Sequence, residues 1–155
     1  MKIQLSLAAA IILMAFAGTT PSALAMGDET APVAKDSDFS RGKAAIDHKD
    51  WAGAIASFEK VVAHDDKNAD AYNWLGYASR KSGKLDAAFK YYDKALSIDP
   101  KHMGVYEYQG EAFLMANQPA KAEANLATLA KLCNSRCEEY KELKEALDDY
   151  KAGKH

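Results

Sequence analysis

The sequence predicts an all-α protein, a stack of three helical hairpins closed by a C-terminal capping helix. Two observations carry this. Small residues recur at one spacing: Gly42, Gly76 and Gly110 stand 34 residues apart, and the series Ala44, Ala78, Ala112 and Ala54, Ala88, Ala122 keep the same step. Bulky or turn-forming residues keep it too, in the series Phe58, Tyr92, Leu126 and Trp51, Leu85, Pro119. Independent series at a single period of this length mark a stacked two-helix repeat. Between them, apolar residues recur at steps of three and four, the period of an amphipathic helix. Stacks of this kind build binding surfaces far more often than they carry chemistry.

The first residues read as an address, not as fold. Lys2 is followed by the uncharged apolar stretch Leu5 to Ala17, then by Pro21-Ser22 and the small-x-small triplet Ala23-Leu24-Ala25. That order is a secretory signal peptide, residues 1–25, cut after Ala25. The apolar run is shorter than the roughly 20 residues that a spanning helix needs. Residues 26–35, with Gly27, Asp28, Glu29 and Pro32, have no periodic apolar face and are expected to form a disordered linker. The mature chain loses one lysine and keeps 22 acidic side chains against 19 basic ones. This mild acidity argues against nucleic acid as a partner. No later segment is apolar enough to insert in a bilayer.

The repeats fill 36–151. The first runs from about 35 to 68. Phe39, Gly42, Ala44 and Ile46 mark its first helix, His48-Lys49-Asp50 its turn, and Trp51, Ile55, Phe58, Val61 and Val62 the stripe of its second helix. Asp50 suits the N-cap. The second repeat, 69–102, sets Tyr72, Leu75, Gly76 and Ala78 before the turn Ser82-Gly83. Leu85, Ala88, Tyr92, Ala95, Leu96 and Ile98 follow it, and Asp99-Pro100 ends the helix. The third, 103–136, has Tyr106, Gly110, Ala112, Phe113 and Leu114, the turn Asn117-Gln118, and Pro119 opening a helix that carries Ala122, Leu126 and Leu129. Gly76 and Ala88 are expected to face each other at the close helix contact, with Phe58, Tyr92 and Leu126 filling the gaps between hairpins.

The capping helix is 137–151. Tyr140, Leu143, Ala146, Leu147 and Tyr150 share one face and charged residues cover the other. Residues 152–155 are expected to fray.

These motifs resemble the tetratricopeptide repeat family. The second repeat carries Tyr72-x-x-Leu75-Gly76, Gly83, Ala88, Tyr92, Ala95 and Pro100 in the family's order. The first departs at Arg41 and Asp66, where the family prefers Leu and Pro, and the third has Gln109 at the Leu position. The resemblance implies a right-handed superhelical stack whose first helices line a concave groove. The groove positions would be Phe39, Lys43 and Ile46, then Asn73, Tyr77 and Arg80, then Glu107, Glu111 and Leu114. Basic, acidic and apolar side chains together suit a peptide or protein segment carrying both signs of charge. Family members that grip the C-terminal carboxylate of heat-shock chaperones use Lys, Asn and Arg. Here Phe39, Trp74, Gly104 and Tyr108 occupy four of those positions and Lys43 a fifth, so that clamp is not implied.

Cys133-Asn134-Ser135-Arg136-Cys137 is the other local feature. In an exported protein two cysteines usually form one disulfide, which here would lock the cap onto the last repeat. A thiol–disulfide oxidoreductase would use a shorter C-x-x-C in a βαβ setting, a metal site would need more ligands, and covalent haem would need C-x-x-C-H. His48, His64 and His102 fall at repeat junctions and read as exposed loop ends. No catalytic or metal-binding motif is present, and no cofactor is implied. The reading is an exported, non-enzymatic adaptor or scaffold that binds another protein in its groove. The alternatives are a structural module of an envelope complex acting through its convex face and, third, a redox protein.

Overall fold

The computed structural model describes residues 30–154, with side chains from residue 37 onward. Seven helices make up these described residues: α1 (Thr30–Asp47), α2 (Trp51–His64), α3 (Ala69–Lys81), α4 (Leu85–Ile98), α5 (Met103–Met115), α6 (Pro119–Cys133) and α7 (Glu138–Lys151). Consecutive helices pair as hairpins α1–α2, α3–α4 and α5–α6. The hairpins stack in order, and α7 packs on both α5 and α6. The expected signal peptide, residues 1–25, and residues 26–29 lie outside the described residues. Residues 30–35 correct the linker expectation, because they are helical as the first turns of α1. Ala31 and Ala34 favour helix, and Pro32 falls in the first turn, where its missing N–H costs no hydrogen bond.

The hairpin turns repeat as faithfully as the helices. Lys49, Gly83 and Asn117 all have positive φ, at 58°, 77° and 56°. After each of them the next N–H (Asp50, Lys84, Gln118) reaches back to the carbonyl of Ala45, Ser79 or Phe113, at 2.8–2.9 Å. This is a Schellman closure, which satisfies carbonyls left open at a helix end. Only Gly83 takes the left-handed conformation without a steric cost. Asp50 and Asn68 cap α2 and α3, accepting from the N–H of Gly53 and Ala71 at 2.9 Å. Pro119 occupies the first turn of α6.

Close packing follows the glycines, with a change of partner from the sequence expectation. A Cβ on Gly42 would stand 2.7 Å from Phe58 Cζ, and one on Gly76 would overlap the Tyr92 ring. The nearest neighbour of each glycine is thus an aromatic ring, with Tyr92 closest to Gly76 and Ala88 fully buried on the same helix. Both rings are fully buried and also reach the next hairpin, Phe58 through Trp74 at a centroid distance of 6.4 Å. Gly110 breaks the series. Its Cβ would meet Leu143 of α7, at 2.5 Å from Cδ1, and not Leu126. Leu126 has no ring to span that gap, and it packs with Leu114, Ala122 and Leu147.

The seam between the second and third hairpins has an apolar core of Ala88, Tyr92, Ala95, Val105 and Ala112, with a polar tie beside it. Gln109 Nε2 donates to Asp93 at 2.9 Å, and the nearly buried Asn125 donates to Gln109 Oε1 and to the Tyr106 carbonyl, both at 3.1 Å. Gln109, unusual for its repeat position, has a job here: it ties α4, α5 and α6 together through satisfied polar groups.

Candidate protein-binding groove

The first helices α1, α3 and α5 present one face each to a common concavity, because residues four and then three apart share a helix face. The nine positions expected there divide sharply. Ile46, Asn73, Arg80, Glu107 and Leu114 are buried, whereas Phe39, Lys43, Tyr77 and Glu111 are part-exposed. Ile46 belongs to the core of the first hairpin and α3, and Phe39 packs edge-on against Phe58 at 5.3 Å. An apolar side chain on the inner helix face is drawn into that core by the area it removes from water.

Arg80 is 3% exposed, and its guanidinium pairs with Glu111 at 2.5 Å, so the two expected opposite charges neutralise each other across α3 and α5. Its Nε has no hydrogen-bond partner, and the buried Tyr92 hydroxyl lies beside the same guanidinium. Burial pushes the Tyr92 phenol upward, with the nearby Arg80 charge opposing the shift. Glu107, 4% exposed, is pushed up to about 9 by burial and then by its hydrogen bond with Glu142 of α7. Both causes favour the protonated form of Glu107 beside the Glu142 carboxyl. The acidic end of the groove is thus built into the contact between the third hairpin and the cap.

The open floor of the groove is aromatic. Trp74 meets Tyr77 edge to face at 5.5 Å, Tyr77 meets Tyr108 at 4.8 Å, and Trp51 backs Tyr77 at 6.1 Å. All four rings are half-buried. Lys43 Nζ stands 3.4 Å above the Trp74 ring, Lys81 Nζ 5.4 Å from that of Tyr77. Burial pushes the Tyr77 hydroxyl upward, and Arg80 partly offsets that. Trp74, Tyr108 and Lys81 were not among the expected binding positions. The spacing of Trp74 and Tyr108 repeats the period, which was a usable signal. Lys81 could be found only in space. Beyond Arg80 and Glu111 the groove continues as a cleft of about 350 Å³ between α5 and α7, lined by Leu114, the exposed Met115, Ala146 and Tyr150.

Elsewhere, His102 corrects the reading of exposed histidines. It is part-buried, its Nδ1 accepts from the Val105 N–H at the start of α5, and its Nε2 lies 3.0 Å from Asp70. The first contact leaves the proton on Nε2, which donates to Asp70. His48 and His64 are exposed. The Cys133 and Cys137 sulfurs are adjacent across the break between α6 and α7, with Cα atoms 5.7 Å apart, a separation that a disulfide spans. Asn134 and Ser135 make the break, both at positive φ.

The tetratricopeptide repeat family model matches residues 39–103. Several solved tetratricopeptide domains share the superhelical architecture. The Arabidopsis OM64 TPR domain matches with a TM-score of 0.67 at 22% identity, over 74% of this chain and 94% of that one. The TPR2B domain of yeast Sti1, in complex with pHsp70, matches at 0.70 and 18%, over 78% and 98%. The Yersinia enterocolitica type III secretion chaperone SycD, in complex with a peptide of the translocator YopD, matches at 0.69 and 20%, over 83% and 100%. These likenesses are of fold. No curated protein sequence matches the chain.

Proposed function

We propose that this chain, whose residues 39–103 match the tetratricopeptide repeat family and whose helices stack as that fold does, is an adaptor that holds a peptide or protein segment of its partner in the concave groove. One observation carries the reading: the half-exposed belt of Trp51, Trp74, Tyr77 and Tyr108, flanked by Lys43 and Lys81. Aromatic rings with a polar tip supply large contact area at small entropic cost, and they recur among residues that dominate binding energy. The Sti1 and SycD domains, solved with bound peptides, support it by analogy of fold. The signal-like residues 1–25 support an exported adaptor, and the facing sulfurs support a structural disulfide between Cys133 and Cys137.

The test is a pull-down from native envelope extract with the wild type and with Tyr77→Ala. Loss of the captured partner by a variant that still melts cooperatively is the expected result. Capture that survives Tyr77→Ala favours the second reading, a structural module working through another face. Phe89 and Phe113 stack there at 4.8 Å, with Lys121 5.2 Å from the Phe113 ring, in a cleft between the second and third hairpins. Export is checked by N-terminal sequencing of the envelope protein, which should begin at Met26. Free thiols in freshly isolated protein would remove the disulfide.

A further inference from the structure

The two ends of the groove use their charges differently. At the α5–α7 end the acids are already engaged, Glu111 by Arg80 and Glu107 by Glu142. At the α1–α3 end the cations are not. Among the described residues Lys43, Lys49 and Lys81 make no ion pair. Lys43 and Lys81 flank one aromatic pair, Trp74 and Tyr77, whose centroids are 5.5 Å apart. Burial, with Arg80 and then Lys49 adding repulsion, pushes the Lys81 ammonium below its ordinary range, and Glu111 only partly opposes this. Positive charge is therefore concentrated over an apolar floor with no resident anion.

We propose that this half of the groove selects partner segments carrying internal Asp or Glu side chains beside an apolar residue, with the carboxylates held between Lys43 and Lys81 and the apolar neighbour on Trp74 and Tyr77. The inference rests on the groove reading above and names the chemistry of its ligand. Three features favour this occupant. Lysines act as point charges that accept a carboxylate at many angles, so an internal side chain suffices. The family's grip on a chain-terminal carboxylate is not retained, because Phe39 and Gly104 stand at two of its positions, so nothing here requires a chain end. A nucleic acid would meet a chain with 22 acidic against 20 basic side chains, and a local pair of lysines does not offset that.

The test uses a library of random short peptides displayed through their C-termini, so that no free carboxylate is present. It is selected on the wild type, on Lys43→Gln/Lys81→Gln and on Tyr77→Ala, after thermal melts show each variant folded. The wild type should enrich Asp and Glu. The double lysine variant should lose that enrichment, and it should bind the best selected peptide, made synthetically with an amidated end, at least about tenfold more weakly, the size of one hydrogen bond to a charged group. That peptide should also weaken as salt rises. Selection without preference for acids, or in favour of Lys and Arg, overturns the inference, and if it still depends on Tyr77 the groove reading stands. Failure to select any peptide, or selection indifferent to Tyr77→Ala, overturns both.

Discussion

The first two hairpins and the third solve one packing problem in different ways. In α1–α2 and α3–α4 a glycine on the first helix receives a ring from the second, Phe58 on Gly42 and Tyr92 on Gly76. In α5–α6 the glycine is kept but the ring is not, and Gly110 instead receives Leu143 from α7. The first two hairpins are therefore closed by their own residues, whereas the third is closed only when the cap docks. The difference shows what a repeat period specifies. It reserves the space beside each glycine, and it leaves open which element fills that space. The third hairpin also adds polar ties to its apolar contacts, in the Asp93–Gln109–Asn125 relay and beside Glu107 and Glu142.

Removing a ring should hurt most. Tyr92→Ala takes a fully buried ring from the centre of the stack and should cost about 3–5 kcal/mol, lowering the denaturant midpoint of the whole domain. Tyr92→Phe tests the same site more finely. The phenol oxygen has Arg80 as its polar neighbour, and that guanidinium is also paired with Glu111, so removing the hydroxyl should cost no more than about 1–2 kcal/mol. A large loss in Tyr92→Phe would mean that the hydroxyl is satisfied in solution.

Leu143→Ala should come next, at about 2–5 kcal/mol, with a different distribution. If the third hairpin depends on the cap, hydrogen exchange should quicken across α5, α6 and α7 and change little in α1–α3. Uniform acceleration along the chain would show instead that the repeats unfold as one unit and would erase the contrast between the two regions.

A further contrast is read against pH. Glu107 is raised in the fold from its ordinary 4.5 to about 9. Its neutral form is the one the fold favours, so its contribution is fully present below about 4.5 and is lost as pH rises through about 9. The wild-type melting temperature should therefore fall from pH 5 to pH 9 by more than that of Glu107→Gln, which keeps a neutral donor toward Glu142. Equal pH dependence in the two proteins would show that Glu107 is ionised and that the α5–α7 contact is held by Leu143 and its apolar neighbours alone.

Much of the architecture was legible because it is local and periodic. The turns at 49, 83 and 117, the N-cap Asp50, Pro119 and the amphipathic face of α7 all express preferences of a few neighbouring residues. The groove was legible as a set of positions but not as a surface. Helical spacing put Arg80 and Glu111 on inner faces, and nothing in the spacing said that they would pair and leave Lys43 and Lys81 as the unpaired charges. His102 looked like any junction histidine until Asp70, in the preceding helix pair, came within reach of its ring.

By itself the sequence determined the number of hairpins, their register, the turns between them and the faces that α1, α3 and α5 turn inward, since each depends on periods and propensities that act within a helix or across one turn. The tertiary structure decided which side chain occupies the space at Gly110, that burial raises the Glu107 carboxyl, and which of the groove's charges remain available to a partner. Those outcomes depend on distances between helices and on the water that burial removes, and neither quantity is written at any one position of the chain.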